Sequence, residues 1–226
     1  FDWVLTLDQD SICESDLLQK YAPYLDFDKV AMITPYVHYV GQADRPADGW
    51  PEYEYVHRCI TSAALTKVSI WRELGGFDER LFIDMVDYDY CALAREKGFK
   101  ILRANRAVLE QELGDTATRV TLFNKLSKLP GLGRWKDAQV YVYNHSPGRT
   151  YYYARNSRYY LWRYKDILEP DEAGGVKSWI LYKLLFEKQK FAKLRAVCRG
   201  RRDGKKLIKE GTARRYGEIS VSSHRD

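Results

Sequence analysis

Apolar residues in the first part of the chain fall into short runs that are separated by helix-like stretches. Residues 1–7 form an almost uninterrupted apolar run, which is typical of a strand buried between neighbours in a parallel sheet. Residues 15–21 predict a helix, and residues 29–35 predict a second strand that Pro35 should end. Because the first strand begins at residue 1, we expect the strands beside it to precede this chain.

The same alternation of strands and helices continues over the next sixty residues. Residues 60–74 predict a strand and a short helix that ends at a Gly-Gly pair. Residues 87–97 predict another helix with a glycine just beyond its end, and short strands follow at 99–102 and 107–109. Strands that alternate with helices indicate an α/β fold.

The pattern changes at residue 115, and the charge becomes uneven further on. Residues 115–175 form a connecting region rich in Tyr and Arg, whereas residues 176–198 predict one basic amphipathic helix. Residues 176–209 contain 12 basic and 2 acidic side chains, and the rest of the chain contains 25 and 29. We therefore expect an α/β part over 1–114, the connecting region, and a basic tail over 176–226.

The basic tail is expected to contact an anionic membrane surface, because clustered Lys and Arg beside an apolar stripe suit anionic lipid. The alternative is a helix that packs against the α/β part. Nucleic acid is not expected as a partner, because the basic excess is confined to the tail. The four cysteines are scattered and predict free thiols in a reducing compartment, and no run of about 18 apolar residues predicts a membrane span. We expect a cytoplasmic protein, peripheral on the inner face of the cell membrane.

Two carboxylates, Asp8 and Asp10, directly follow the first predicted strand. Ligands of open α/β sheets bind beyond the carboxyl ends of the strands, and Mg²⁺ prefers one or two carboxylates together with phosphate oxygens. A cation held there can neutralise a diphosphate leaving group. The alternative is that both residues only cap the helix that follows.

A second acidic cluster lies between positions 78 and 89, where five carboxylates occur. One of them, Asp87, begins a predicted helix, and a carboxylate there is well placed to act as a base beside an acceptor hydroxyl. The alternative is a solvated acidic turn. Such a turn should contain few large apolar residues, yet Phe, Leu, Ile and Met side chains are interleaved with these acids.

Taken together, the motifs resemble those of family 2 glycosyltransferases. The resemblance rests on DQDS at 8–11, TSAAL at 61–65, GGFDERLFIDMVDYDYC at 75–91 and KGFKIL at 97–102, in that order after a strand. The segment HSPGRTYYYARN at 145–156 is similar to the rhamnosyltransferase branch of that family. The resemblance covers nearly the whole chain and implies the GT-A fold. That fold is a mixed sheet flanked by helices, here incomplete at the N-terminus because the family's nucleotide-binding strands precede DxD, with an α-helical C-terminal extension.

The resemblance also implies roles for individual residues. Asp8 and Asp10 would bind Mg²⁺ or Mn²⁺ and the donor diphosphate, and Asp87 would be the catalytic base. The acceptor side is expected to include Ser62, Ala63, Asp84 and Asp89. Ala63 stands where family members often have Gly.

Three positions depart from the family pattern. Gln111 stands where members usually have a His that helps to bind the metal, and its carbonyl oxygen is a weaker, neutral ligand. Leu93 stands where an Arg is common after the base, and Val86 stands where an acid often precedes the base. The expected metal ligands are therefore Asp8, Asp10 and Gln111.

Arg149 and Arg155 lie in a stretch dense in Tyr. Arg binds phosphate with two parallel hydrogen bonds, and Tyr stacks on sugar faces, so this stretch is expected to contact the donor. The alternative is a helix packed by Tyr rings with its Arg side chains in solvent.

The expected reaction is the inverting transfer of a sugar from a nucleotide-sugar to a hydroxyl of a growing surface glycan or a lipid-linked glycan. In the branch that the chain resembles, the donor is dTDP-L-rhamnose. Asp87 would deprotonate the acceptor while the cation stabilises the departing diphosphate. The alternative is a non-catalytic remnant of the fold that binds a membrane or a partner enzyme, which the departures at Gln111 and Leu93 favour.

Overall fold

A computed structural model describes residues 1–9, 11–39, 49–111, 117–118 and 141–215. The chain divides into two compact units. The first comprises Phe1–Asn144 and Phe186–Lys188, and the second comprises His145–Leu185 and Gln189–Asp226. Asp10, one of the two carboxylates predicted to bind the metal, lies outside the described residues, as does most of the connecting region.

The first unit is built on a mixed sheet that has six strands within the described residues. The strands are β1 Trp3–Thr6, β2 Ser11–Cys13, β3 Val30–Tyr39, β4 Tyr53–Val56, β5 Ala64–Lys67 and β6 Lys100–Gln111. The strand order is β1-β5-β3-β6-β2, and β4 pairs with the first half of β6. The pair β3 and β6 is parallel, and the other pairs of this sheet are antiparallel. A short pair, β7 Ala117–Thr118 and β8 Tyr141–Val142, lies apart from it.

The helices of the first unit cover the two faces of the sheet. They are α1 Leu17–Tyr21, a 3₁₀ turn at Ala22–Tyr24, α2 Val68–Glu73 and α3 Val86–Glu96. Neighbouring residues of β3 alternate between two apolar clusters, with Ile33 packed beside α1 and Met32 packed with residues of α2 and α3. The mixed α/β class and the helices predicted near 68–74 and 87–97 are therefore confirmed.

Three strand predictions need correction. Residues 1–7 do not form a strand buried on both sides, because β1 pairs with β5 alone in the described sheet and Val4 is 47% exposed. β3 does not end at Pro35 but runs on to Tyr39. Proline cannot donate to the ladder, and a register shift between Pro35 and Tyr36 accommodates it. The two short strands predicted at 99–102 and 107–109 form one strand, β6.

The second unit consists of three helices in its described part: α4 Pro147–Arg163, α5 Pro170–Phe186 and α6 Lys190–Arg215. The sequence starts α4 firmly, since Ser146 Oγ accepts the backbone N–H of Arg149 and Pro147 occupies the first turn. Two glycines of α6, Gly200 and Gly204, let it pack closely on α4. A Cβ at Gly200 would lie 2.4 Å from a backbone oxygen of α4.

The single helix predicted over residues 176–198 is wrong. The helical conformation is interrupted between α5 and α6, where Gln189 has a φ of 58°. Two lysines expected to border the apolar stripe, Lys183 and Lys193, are each only 1% exposed. The large apolar side chains that remain exposed here are Leu181, Leu185, Phe191 and Leu194. None of the described helices is both long and apolar enough to cross a bilayer.

Candidate active site

The turn after β1, which carries Asp8, is held by serine hydroxyl groups. The backbone N–H of Asp8 donates to Ser62 Oγ at 3.2 Å, and Ser62 Oγ donates to Ser11 Oγ at 2.8 Å. The backbone N–H of Ser11 donates back to the carbonyl of Asp8 at 3.2 Å. This network ties the backbone of Asp8 to Ser11 and Ser62, while Asp8 itself is exposed. Ser62 is 1% exposed, so its hydroxyl positions the turn rather than facing a ligand.

Ala63 sits in a backbone conformation that few side chains tolerate. Its φ is 54°, it is fully buried, and its carbonyl accepts the hydroxyl of Tyr21 at 2.7 Å. A residue with a Cβ pays roughly 1–2 kcal/mol in this left-handed region, and a larger side chain would also clash in the core. The backbone therefore explains why a small residue follows Ser62.

Two consecutive left-handed residues, Asp84 and Met85, precede α3, with φ values of 62° and 68°. Such residues cost on the order of 1–3 kcal/mol each and persist only where their surroundings hold them. Met85 is buried, and its carbonyl accepts the backbone N–H of Asp89 at 2.8 Å. Just before them, Arg80 makes two hydrogen bonds to the buried carboxylate of Asp78. This bend starts α3 so that Asp87 lies in its first turn.

Asp87 combines partial burial with a concentration of negative charge. Its pKa is raised from 3.8 to about 6, chiefly by burial; the carboxylates of Asp84 and Asp8 add to the rise, and backbone N–H donors oppose it. One of these donors is the N–H of Tyr88, which lies 2.9 Å from Oδ1. The two acidic motifs, far apart in the sequence, therefore lie within electrostatic reach of each other.

Two tyrosines lie within electrostatic reach of Asp87 and an arginine packs on one of them, and the motifs did not predict any of the three. Burial and the charge of Asp87 raise the pKa of Tyr39. Burial and Asp87 also raise the pKa of Tyr88 to about 12, against the opposing charge of Arg58. The Arg58 guanidinium lies 4.8 Å from the centre of the Tyr88 ring. Their best sequence signal is position, since Tyr39 ends a strand and Tyr88 follows the predicted base.

Gln111 lies next to this cluster through the pairing of strands. It is opposite Ser11 of β2 on one side and Tyr39 of β3 on the other. Its Oε1 atom is buried and has no hydrogen-bond partner within the described residues. The register therefore places Gln111 opposite Ser11, whose backbone N–H donates to the carbonyl of Asp8.

The residues predicted to bind the metal carry oxygen atoms that suit a divalent cation. Mg²⁺ and Mn²⁺ favour carboxylate and carbonyl oxygens, which Asp8 and Asp10 and the buried amide of Gln111 supply. The donor set therefore fits the predicted metal. Within the described residues, which leave out Asp10, no group of three His, Cys, Asp or Glu side chains is arranged to bind a metal ion.

The remaining predicted residues lie in different surroundings. Asp89 is on α3 but only 3% exposed, which leaves it little surface for an acceptor. Arg149 and Arg155 are on α4 of the second unit, and Arg149 is exposed in its first turn. The Arg155 guanidinium lies 5.0 Å from the Tyr152 ring and donates to Asn156 at 2.8 Å.

A pair of buried thiols lies near Asp87. The sulfur atoms of Cys59 and Cys91 are 3.8 Å apart, although nothing in their sequence spacing suggested a pair. The contact with Cys91, followed by burial, raises the pKa of Cys59, and the charge of Asp87 adds to this effect. Cys59 is therefore a protonated thiol, and both cysteine side chains lie in the apolar cluster beside α2 and α3.

Comparison with known protein families finds no matching family model, and comparison with curated proteins finds no significant match. The chemistry of the site must therefore be argued from its own geometry. A part-buried carboxylate whose pKa is raised to about 6 can accept a proton near neutral pH. The exposed carboxylate of Asp8 and the amide oxygen of Gln111 are both groups that can bind a cation or a polar substrate.

Proposed function

We propose that the first unit is the catalytic part of a metal-assisted glycosyltransferase that resembles family 2 and its GT-A fold. It transfers a sugar, L-rhamnose in the branch that its motifs resemble, from a nucleotide-sugar to a hydroxyl of a growing glycan. The observation that carries this proposal is the approach of the two acidic motifs: Asp8 and Asp84 lie close enough for their charges to act on Asp87.

The reaction needs carboxylates for two purposes, to accept a proton and to bind a cation, and each motif would supply one of them. The acceptor hydroxyl must lose a proton as it attacks, and Asp87 in the first turn of α3 takes it. With a pKa of about 6 the carboxylate is mostly ionised at neutral pH, yet basic enough to accept a proton. Asp84 lies three residues before Asp87 and is held in a left-handed conformation. Its carboxylate would bind the other hydroxyl groups of the acceptor.

Asp8, Asp10 and the amide oxygen of Gln111 would hold Mg²⁺ or Mn²⁺ in this scheme. The cation, when bound, offsets the negative charge of the departing nucleoside diphosphate. The serine network of Ser62 and Ser11 keeps the Asp8 turn in place. Because these hydrogen bonds are internal to the protein, the backbone of Asp8 is held before any ligand binds, which lowers the entropic cost of binding.

The second unit is proposed to bring the enzyme to an anionic membrane surface. Leu181 and Leu185 are exposed one helical turn apart on α5, and Phe191 and Leu194 are exposed on the first turns of α6. Exposed Lys and Arg side chains lie around them in the sequence. Apolar side chains among cations suit an interface with anionic lipid, where a lipid-linked acceptor would be found.

The test is a transfer assay with a panel of nucleotide-sugars that includes dTDP-L-rhamnose. We expect release of the nucleoside diphosphate and a product heavier by one sugar, in the presence of Mg²⁺ or Mn²⁺. Excess chelator should abolish both, and Asp10→Ala should do the same while the circular dichroism spectrum stays unchanged. Asp28→Asn, an exposed carboxylate outside the site, serves as the matched control and should behave as the wild type.

Full turnover in chelator would contradict the metal's role. Donor binding without turnover, by a protein that also binds vesicles, would instead favour the non-catalytic alternative.

A further inference from the structure

A cavity of about 620 Å³ lies among the three helices of the second unit. Its wall is formed by one face of α4, the segment between α4 and α5, a face of α5 and two residues of α6. The residues that decide its chemistry are Arg158, Trp162, Lys165, Lys177, Ile180 and Arg201. A volume of this size is within the range of small-molecule sites in proteins.

The charge of the cavity is entirely positive. Two Arg and two Lys side chains line it, and no acidic residue does. The side chains of Arg158, Lys177 and Arg201 make no hydrogen bond or ion pair with any part of the chain that the structure describes. Lys165 makes a single distant contact, 3.9 Å, with Asp166. Four like charges around one cavity repel one another, so binding of an anion there relieves their repulsion.

The close packing of α4 and α6 builds this cluster of cations. Gly204 of α6 faces α4 at close range. A Cβ added there would lie 2.8 Å from the carbonyl oxygen of Arg155 and 3.1 Å from the Cβ of Arg158. The helices can therefore approach until the Arg158 stem packs on α6 itself. Arg201, which lies between the two glycines, is thereby brought to the same cavity as Arg158. The proximity of Arg158 and Arg201 is therefore set by the packing of the two helix backbones and not by side-chain conformation alone.

The rest of the wall is apolar except for Ser157. Trp162, Ile180 and their neighbours Leu161, Leu168 and Ile208 line the cavity beside the four cations. Inorganic phosphate would satisfy the charges but leave this apolar surface in contact with water. A ligand with a phosphate group and an apolar body would cover both, since apolar burial contributes about 25 cal/mol per Å².

We propose that this cavity binds an amphipathic organic phosphate, with its phosphate between Arg158 and Arg201 and its apolar body along Trp162 and Ile180. Arg binds phosphate with paired, charge-assisted hydrogen bonds, which explains two Arg on facing helices. The site is independent of the reaction proposed for the first unit, so either proposal can fail alone.

Titration of the protein with hexyl phosphate, followed by tryptophan fluorescence and calorimetry, tests the proposal. We expect saturable binding, with inorganic phosphate and hexanol each binding at least about tenfold more weakly. Arg158→Gln and Arg201→Gln should each weaken binding by about tenfold or more. Lys205→Gln, an exposed cation of α6 that does not line the cavity, is the matched control and should leave binding unchanged.

A second pair of measurements distinguishes the two sources of such a ligand. If the ligand is a membrane lipid, phosphatidylcholine vesicles containing phosphatidic acid should bind the wild type and bind the two Arg variants more weakly. If it is a soluble metabolite, hexyl phosphate should bind while vesicle binding is the same for the wild type and variants. Equal affinity for hexyl phosphate in the wild type and both Arg variants would overturn the proposal, as would no binding at all.

Discussion

Replacing Asp87 by Asn should make the protein more stable at neutral pH, because this carboxylate is held where it is costly to ionise. Burial and two neighbouring carboxylates raise its pKa from 3.8 to about 6. Asn keeps the size of the side chain and an oxygen that can accept the Tyr88 N–H. The substitution therefore removes the charge with little change in packing.

The magnitude and its pH window follow from the direction of the shift. The folded state binds the proton more tightly than the unfolded state, so Asp87 costs nothing below about pH 4, where both states are protonated. The cost grows as the pH rises through about 6. A shift of about two pKa units corresponds to roughly 3 kcal/mol, since one unit is worth 1.36 kcal/mol.

The assay is urea unfolding of the wild type and Asp87→Asn at about pH 4.5 and about pH 8, without divalent cations. The variant should gain up to about 3 kcal/mol over the wild type at the higher pH and only about 1 kcal/mol at the lower. Asp28→Asn, which replaces an exposed carboxylate, should show no such pH-dependent gain. If Asp87→Asn is no more stable than the wild type at the higher pH, the carboxylate is not strained by its surroundings.

Three further predictions concern the second unit. Gly200→Ala should destabilise the protein by about 1–3 kcal/mol in thermal unfolding, because the new Cβ would lie 2.4 Å from a backbone oxygen. The control Gly174→Ala should be neutral or stabilising, because a Cβ there would have no atom within 4 Å. Burial and nearby cations lower the pKa of His145 to about 3. Below about pH 6.5 the unfolded chain therefore binds a proton at this residue that the folded chain does not bind. Stability should therefore fall as pH decreases from about 6 to 4, and His145→Gln should reduce that slope in urea unfolding. Binding to anionic vesicles should weaken in high salt and in the double variant Leu181→Ser with Phe191→Ser, and equal binding to neutral vesicles would refute the electrostatic part.

The sequence predicted the α/β part best where local signals and packing agree. The helices around 70 and 90 are bounded by glycines with positive φ, Gly75 and Gly98, and such boundaries are set by the residue itself. The strand end predicted at Pro35 was wrong because the cost of the missing N–H of proline depends on the neighbouring strand. A register shift in β3 removes that cost, and no local signal announces it.

The tail was predicted least well because periodicity cannot tell a membrane from a neighbouring helix. Lys183 was expected beside lipid, yet it is buried beside His145 and lies 5.5 Å from the Tyr153 ring. Aromatic rings and partner groups from distant positions stabilise that burial. Such partners become visible only once α4 and α5 are packed together.

The candidate site was predicted in part for a similar reason. Asp8 and Asp87 were named from their motifs, and the fold brings their charges together. Tyr39 and Arg58 were missed because they act through contacts across the sheet and α3 rather than through a motif. Gln111 looked like a departure from the family, but its buried, unpaired amide oxygen within the described residues is suited to a ligand role.

The pH dependence of sugar transfer by the wild type and Asp87→Asn tests the central proposal most directly. We expect kcat/KM of the wild type to rise with pH through an apparent pKa near 6, the value that the surroundings of Asp87 set. Asp87→Asn should lose roughly 10²–10⁴-fold in turnover and lose that rise, while binding the donor as the wild type does. A variant that keeps wild-type turnover and the same acidic limb would contradict the assignment of Asp87 as the base.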